Sequence, residues 1–220
     1  MAAVLRRISA LALLCSAALA GCGGEQAQPR ANPAPRPGGC ATVAAPKPKG
    51  EQSLKASTAR VTAGSTVTFQ TNCGALVIAL DPRRAPKTDA AFAGLVKQGF
   101  YDGLTFHRIV PGFVIQGGDP LGDGQGGPGY TVVEKPPSKL LYRPGIVAMA
   151  KTGNDPAGAS GSQFFVVTGN QAESLPPDYA LVGRLRSGID VAKRIERIPA
   201  SADGAPTRPI VIAKATLSTR

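Results

Sequence analysis

The sequence predicts a mainly β fold with two α-helices, and three observations lead to this prediction. Runs in which apolar and polar residues alternate, such as residues 105–110, have the period of half-buried strands. Glycine and proline are frequent, with 27 and 20 residues among 220, which favours a fold rich in turns. Only residues 86–98 and 189–197 are predicted to be helical. The apolar fraction of 43% is enough for a hydrophobic core.

Residues 1–21 are predicted to be a signal peptide that is removed before folding. Arg6 and Arg7 precede an apolar run over residues 8–20, which is shorter than the roughly 20 residues that span a bilayer. The run ends in Leu-Ala-Gly-Cys, which resembles the lipobox of bacterial lipoproteins. That resemblance implies that Cys22 becomes the lipidated first residue of the mature chain. The alternative is an ordinary secretory signal that is cleaved near the same place.

Residues 22–57 are predicted to be a tether between this anchor and a folded domain. The segment is rich in Pro, Gly and Ala and has no apolar period, so it buries too little surface to offset its ordering entropy. Its prolines favour extended polyproline II stretches. Without Arg6 and Arg7 the chain has 23 basic and 14 acidic residues, and this net charge of +9 favours contact with anionic lipid headgroups. We expect no nucleic-acid partner for an exported chain.

The remaining cysteines point to one disulfide. Cys15 lies in the predicted signal peptide and Cys22 is the predicted lipid attachment site, which leaves Cys40 and Cys73 in an oxidising compartment. Two unpaired thiols are the alternative. If the two cysteines pair, residues 41–57 are expected to lie along the surface of the domain as an ordered strap, and only residues 22–40 of the tether remain free. No CxxC motif occurs, so a thioredoxin-like redox role is not expected.

The folded domain is predicted over residues 58–220. Residues 66–71 and 75–80 form strands on either side of a turn at Asn72-Cys73-Gly74. A helix over residues 86–98 begins with proline, places its apolar side chains largely on one face and closes at Gly99. More strands follow, then the helix at 189–197 and a last strand at 210–217.

The segment 106–119, FHRIVPGFVIQGGD, holds the only histidine, with an arginine beside it and a glutamine further on. It predicts two strands separated by a bend at Pro111-Gly112. On the second strand Phe113 and Ile115 are expected on one side, with Val114 and Gln116 on the other. A guanidinium, an amide and an aromatic ring would then lie near one apolar surface.

This segment resembles the cyclophilin family of peptidyl-prolyl isomerases. Residues 144–169, PGIVAMAKTGNDPAGASGSQFFVVTG, resemble the second conserved stretch of that family, and residues 174–185, SLPPDYALVGRL, the loop and strand that follow. The resemblance runs from about residue 67 to about residue 217. It implies a closed eight-stranded antiparallel β-barrel capped by two α-helices. It also implies rotation about X-Pro bonds with no cofactor and no metal.

The resemblance assigns roles to individual residues. Arg108 would donate to the proline nitrogen as the amide bond twists, and Gln116 would orient the substrate carbonyl and Arg108. Phe113, Phe165 and Leu175 would hold the proline ring. Ala150 and Lys151 would offer backbone groups, and Gln163 would line the adjoining surface. The full set of predicted site residues is catalytic Arg108, Phe113 and Gln116, and substrate-binding Val114, Ala150, Lys151, Gln163, Phe165, Leu175 and Tyr179.

The sequence departs from the best-known cyclophilins along one wall of this site. Ser174 stands near the position that is often Trp, and Tyr179 replaces the usual His. Weak binding of cyclosporin is therefore expected, while activity is expected to survive. His107 is interpreted as a structural residue rather than a catalytic one.

Other motifs fail on their context. Residues 122–127 match GxGxxG, but no helix is predicted after them, so they are interpreted as a mobile surface loop. Asp119 and Asp123 begin like a calcium loop, but Tyr130 stands where the closing glutamate belongs. One histidine argues against zinc, and no nucleophile elbow exists for acyl transfer.

Two classes of function remain. The first is a monomeric, lipid-anchored isomerase that acts on proline-containing polypeptides outside the cytoplasm and assists the folding of exported proteins. The second is a proline-binding chaperone module in which catalysis is incidental. The presence of Arg108, Phe113 and Gln116 favours the first.

Overall fold

The computed structural model describes residues 39–219. The predicted signal peptide, Cys22 and the first part of the predicted tether lie outside the described residues, so cleavage and lipidation stay predictions. No helix within the described range is both long and apolar enough to cross a membrane.

Residues 39–219 form ten strands, two α-helices and one short 3-10 helix. In chain order they are β1 Thr66–Thr71, β2 Gly74–Leu80, α1 Pro86–Lys97, β3 Thr105–Val110, β4 Val114–Asp119, β5 Val132–Val133, β6 Ile146–Met149, β7 Ala159–Ser160, β8 Phe164–Val167, the 3-10 helix Asn170–Ser174, β9 Leu181–Ser187, α2 Ile189–Glu196 and β10 Ile212–Ser218. The mainly β fold with two α-helices that the sequence predicts is confirmed.

Eight of these strands form one curled antiparallel sheet in the order β10-β1-β2-β9-β6-β8-β4-β3, while β5 and β7 form a separate ribbon. The two end strands meet over a few residues only. Thr105 and Val211 form an isolated bridge, the Gly103 amide donates to Ile212 O at 2.7 Å, and the Ile212 amide donates to Leu104 O at 2.8 Å. The sheet is therefore a half-barrel, and its edges are not joined along their full length as in the closed barrel that the resemblance implies.

The main core lies inside the curl of the sheet, and both α-helices pack against it. Its centre is aromatic: the Phe69 ring lies 5.0 Å from Phe164 and 5.4 Å from Tyr101, centroid to centroid. The Tyr101 hydroxyl donates to Ser162 O at 3.0 Å, so this buried polar group is satisfied. Burial of each large ring contributes about 1.5–3 kcal/mol.

A second apolar cluster lies on the other face of β4, β6 and β8. Alternate residues point to opposite faces of a strand, so Phe164 packs in the main core and Phe165 in the second cluster. In β4, Ile115 likewise packs in the main core and Val114 in the second cluster. Phe113 packs against the second cluster with Val114, so the expectation that it shares a side with Ile115 was wrong. The reason is that Phe113 precedes β4 and belongs to the bend, where its amide donates to Val110 O at 3.0 Å.

Residues 41–57, which we call the strap, form neither helix nor strand and follow the surface of the folded domain. A disulfide between Cys40 and Cys73 ties its start to the β1–β2 turn, which confirms the predicted pairing. There Asn72 Nδ2 donates to Ala41 O at 2.7 Å. Further along, the Leu54 amide donates to Pro128 O at 2.8 Å, and the Leu54 side chain packs against the main core.

Candidate active site

A row of three polar side chains crosses β3, β4 and the residue before β8. Arg108 pairs with Gln116 in the strand register, and Arg108 Nη1 donates to Gln116 Oε1 at 3.5 Å. Gln116 Nε2 donates to Gln163 Oε1 at 3.0 Å. The Gln116 side-chain amide thus accepts one hydrogen bond and donates one, which fixes its orientation.

Gln163 extends this row into the loop over residues 121–131. Its Nε2 donates to Gly124 O at 2.9 Å and to Gly126 O at 2.8 Å. Asp119 holds the same loop from the other side, because its carboxylate accepts the Leu121 amide at 2.9 Å and the Gly124 amide at 2.5 Å. The segment with the GxGxxG match is therefore tied to the site, and the strand β5, not a helix, follows it.

Arg108 is half-buried and is held along its stem. The Ile109 amide donates to Gly204 O at 2.8 Å, and a Cβ on Gly204 would lie 2.9 Å from Arg108 Cγ, so the loop containing Gly204 covers the side chain. Among residues 39–219, no carboxylate forms an ion pair with Arg108. A role for Arg108 as a surface ion-pair residue therefore has no support here, and its other N–H donors are directed to no carboxylate.

Gln116 pairs with Phe165 of β8 in the strand register, and Phe165 belongs to an apolar patch with Phe113, Leu175 and Tyr179. The Tyr179 ring meets the Phe165 ring edge-on with centroids 5.5 Å apart. Tyr142 supports it from below: its hydroxyl donates to Tyr179 O at 2.7 Å and accepts the Tyr179 amide at 3.0 Å. Burial raises the pKa of Tyr142 to about 12, so this hydroxyl keeps its proton at neutral pH.

The bend before β4 is clamped from three directions, which sets the position of Phe113. Phe113 O accepts the Thr168 amide at 2.9 Å, and Gly112 O accepts the Gln171 amide at 3.2 Å. The Gly112 amide donates to Glu196 Oε1 at 2.8 Å, so α2 also holds the bend. Glu196 was not among the residues predicted from sequence.

Ala150 and Lys151 lie next to the row, but with fewer open backbone groups than expected. The Ala150 amide already donates to Gln163 O at 2.8 Å, which leaves its carbonyl to meet a peptide. The Lys151 ammonium lies 5.6 Å from the centre of the Tyr179 ring and donates to Asp155 O at 3.1 Å. Val114, by contrast, is fully buried in the second cluster and supports the patch rather than lining it.

Gln116 and Gln163 also line a polar pocket of about 520 Å³, which Phe113 does not line. Its walls come from the loop at 121–131, from residues near Lys151 and Gln163, and from the strap residues Glu51 and Gln52. No sequence signal marked the two strap residues, since their segment has the composition of a tether.

His107 lies next to Arg108, but both of its ring nitrogens are buried without a hydrogen-bond partner. Its side chain is half-buried, and burial lowers its pKa below the ordinary value, with a smaller opposing effect from Asp119. The structural role expected for His107 stays a prediction. No group of three or more His, Cys, Asp or Glu side chains within residues 39–219 is arranged to hold a metal ion.

Comparison with known proteins places this geometry in context. A family model described as cyclophilin type peptidyl-prolyl cis-trans isomerase/CLD matches residues 66–217. The chain is 45% identical over 117 residues to peptidyl-prolyl cis-trans isomerase B of Bacillus subtilis, covering 53% of this chain and 79% of that protein. It is 37% identical over 175 residues to peptidyl-prolyl cis-trans isomerase A of Mycobacterium tuberculosis, covering 71% and 93% respectively.

A solved structure shows the same likeness in three dimensions. It is the crystal structure of a Cryptosporidium parvum cyclophilin type peptidyl-prolyl cis-trans isomerase in the presence of the dipeptide Ala-Pro. Its sequence is 32% identical, the TM-score is 0.63, and the match covers 70% of this chain and 99% of that one.

Proposed function

This chain belongs to the cyclophilin-type peptidyl-prolyl cis-trans isomerase family, and from that premise we propose that it acts on X-Pro bonds of exported polypeptides. The observation that carries the proposal is the pair Arg108–Gln116, which lies beside the apolar patch with no carboxylate paired to the guanidinium. A permanent positive charge next to a ring-sized apolar surface is what the reaction requires of a protein.

The reaction needs neither a nucleophile nor a metal. Conjugation of the nitrogen lone pair gives the X-Pro amide a rotation barrier of about 18–20 kcal/mol. As the bond twists, that lone pair leaves conjugation and becomes a hydrogen-bond acceptor. A donor that meets it then stabilises the transition state but not the planar ground state, which is the condition for catalysis.

Arg108 is the donor in this proposal. Its guanidinium is always charged and offers several N–H groups in one plane. The proline ring, seated on the apolar patch, displaces water and strengthens the field of the charge at the nitrogen. Gln116 holds the carbonyl of the preceding residue, so that the ring and the carbonyl turn relative to each other. A hundred-thousandfold acceleration requires about 7 kcal/mol of selective stabilisation.

The proposed place of action is outside the cytoplasm, with the chain anchored through a lipid on Cys22 and acting as a monomer. The sequence of residues 1–22 supports this, as does the Cys40–Cys73 disulfide, because such bonds persist in oxidising compartments. In this setting the substrates are polypeptides that fold after export.

Two experiments test the proposal separately. Isomerisation of an Ala-Pro peptide, followed by protease-coupled absorbance, should be accelerated by the purified domain. Absence of acceleration by a folded sample would contradict the catalytic proposal. For location, the wild-type chain should fractionate with membranes and carry lipid mass, while Cys22→Ser should lose both. A wild-type protein in the soluble cytoplasmic fraction would refute the anchored form.

A further inference from the structure

The middle of the strap is held at two points, on either side of Glu51. At Lys49, the backbone amide donates to Pro120 O at 2.9 Å and the ammonium donates to Phe100 O at 2.7 Å. At Leu54, the amide donates to Pro128 O and the side chain packs against the main core. The residues between these points therefore have a defined position on the surface of the domain.

A compact turn between the two points directs Glu51 to the polar pocket. Gly50 has a φ of 75°, a left-handed conformation that favours glycine. Gln52 closes the turn, because its Nε2 donates to Lys49 O at 3.1 Å and to Gly50 O at 3.2 Å. Gln52 O in turn lies so near Gly129 that a Cβ there would be 2.6 Å from it. The turn is thus packed directly on the loop that forms the other wall.

Charge in the polar pocket has the opposite sign to charge on the chain as a whole. The lining residues with a formal charge are Glu51, Asp155 and Lys151. Hydrogen bonds from the amide and hydroxyl of Thr152, chiefly the amide, lower the pKa of Asp155, so this carboxylate stays ionised. The Lys151 ammonium is engaged by two backbone carbonyls and the Tyr179 ring. Two carboxylates against one engaged ammonium leave the pocket negative in a chain of net charge +11.

The pocket lies where the residues before the proline would lie. Gln116 separates it from the apolar patch, and in the proposed mechanism Gln116 holds the carbonyl of the residue before the proline. A substrate chain that continues past this carbonyl away from the ring enters the polar pocket.

We infer that Glu51 is a specificity-determining residue and that the strap makes this isomerase prefer substrates with a lysine or arginine two or three residues before the proline. The inference rests on the proposed mechanism for the direction of the substrate. Gln52 acts as a positioning residue through the turn that it closes. Both residues precede residue 66, where the match to the family begins, so this wall of the groove is an addition of the chain to the shared scaffold.

The test compares matched peptides that differ in one charge. Lys, Gln or Glu is placed two residues before the proline in one set and three residues before it in another, with Ala directly before the proline. Rates are measured by NMR exchange, which needs no coupled protease with preferences of its own. For the wild-type domain, kcat/KM should be highest with Lys and lowest with Glu in at least one set.

Glu51→Gln should lower the Lys-to-Glu ratio of kcat/KM by about threefold, the size of effect typical of an exposed charge pair. Glu51→Lys should invert the ratio, because the reversed charge attracts Glu and repels Lys. The wild-type preference should shrink in 0.5 M salt, since the charges are exposed to screening.

Asp190→Asn is the matched control, because it removes one exposed carboxylate on α2 that does not line the pocket. An unchanged ratio in Glu51→Gln, or an equal change in Asp190→Asn, would overturn the inference. If the wild-type domain isomerises none of the peptides, the proposed function fails instead. In that case the affinities of the same peptides, labelled with a fluorophore, are measured by fluorescence anisotropy. Equal affinities for the Lys and Glu peptides would reject Glu51 as a specificity-determining residue.

Discussion

The apolar patch and the polar pocket lie side by side in one groove but are built in different ways. The patch rests on β4, β6 and β8, whose inward residues belong to the main core and whose outward residues carry Phe165 and its neighbours. The pocket is built from loops and from the strap, which holds its place through a disulfide and a few backbone hydrogen bonds. In the proposed mechanism, the part of the substrate that never varies, the proline, meets the sheet. The variable part meets segments that can change without disturbing the core.

The largest effect is expected from breaking the Cys40–Cys73 bond. Its loss should change the polar pocket and leave the apolar patch as it is. A disulfide that joins residues 33 positions apart raises the free energy of unfolding by about 3–4 kcal/mol in the chain-entropy model. Reduction should therefore lower the melting temperature by roughly 10 °C. Turnover of the Gln peptide should stay within about twofold, while the Lys-to-Glu ratio should fall because the strap is released.

Calorimetry and peptide assays with and without reductant measure both quantities. Cys40→Ser is the matched control, since its melting temperature and its peptide preference should not respond to reductant. A reduced wild-type domain with unchanged melting temperature and unchanged preference would show that the strap does not depend on the disulfide.

Arg108→Ala should affect every peptide equally, because in the proposed mechanism Arg108 meets the proline nitrogen and not the neighbouring residues. We expect kcat/KM to fall at least a hundredfold, about 2.7 kcal/mol of transition-state stabilisation, with the fold retained. Arg186 is an exposed arginine on β9, so Arg186→Ala is a control that removes the same charge. A folded Arg108→Ala domain that kept more than about a tenth of the wild-type value would refute the mechanism.

A pH series should separate the stability of the scaffold from the chemistry of the groove. Burial raises the pKa of Asp89, on α1, from 3.8 to about 8, with added repulsion from Asp81 and Glu134 and a backbone hydrogen bond from Asp81 that opposes the shift. Between these two pH values the unfolded chain releases a proton that the folded protein keeps. The free energy of unfolding should therefore fall as the pH rises from about 4 to about 8.

Asp89→Asn removes this dependence. Urea unfolding of the wild-type domain should lose about 2 kcal/mol more between pH 5 and pH 6.5 than the variant, since each unit of pKa shift corresponds to about 1.4 kcal/mol. Turnover of the Gln peptide at fixed temperature should follow the same pH profile in both proteins. Identical stability profiles would show that Asp89 is ionised in the folded state at neutral pH.

The smallest effect is expected for inhibition by cyclosporin, which tests the apolar patch alone. The chain contains no Trp, and Ser174 at the end of the 3-10 helix is exposed. Inhibition should be at least about tenfold weaker than for a Trp-containing cyclophilin assayed alongside, which is a difference of about 1.4 kcal/mol. Equal inhibition would mean that another side chain, such as Tyr179, replaces the indole contact.

Local sequence predicted the scaffold well, because strand period and turn residues act over a few positions. The first strand and the start of each helix are placed at the predicted residues, and Gly99, with φ of 68°, ends α1 as expected. No local pattern indicated that β4 continues through Gly117 and Gly118 to Asp119, since glycines usually weaken a strand. The close approach of β3 explains the glycine at position 117, because a Cβ there would lie 2.8 Å from Thr105 O.

The candidate site was predictable only where its residues lie in the three stretches that resemble the family. Arg108, Gln116 and Gln163 are brought together in one row, and their roles in catalysis stay predictions. Glu196 and Glu51 were missed for a physical reason. Each reaches the site through a contact between segments far apart in sequence, and no local pattern of charge or hydropathy records such a contact. Glu134 is a third example, since it accepts the Lys87 and Thr88 amides at the start of α1.

The path of the strap is indicated in the sequence by the glycines that it contacts, not by its own residues. Ser57 O lies against Gly94 on α1, and Gln52 O lies against Gly129, so neither position has room for a side chain while the strap follows this path. In a related chain, a larger residue at either position would therefore predict that its N-terminal segment runs elsewhere. Glycine at both, together with cysteines matching Cys40 and Cys73, would identify relatives whose groove has the same added wall.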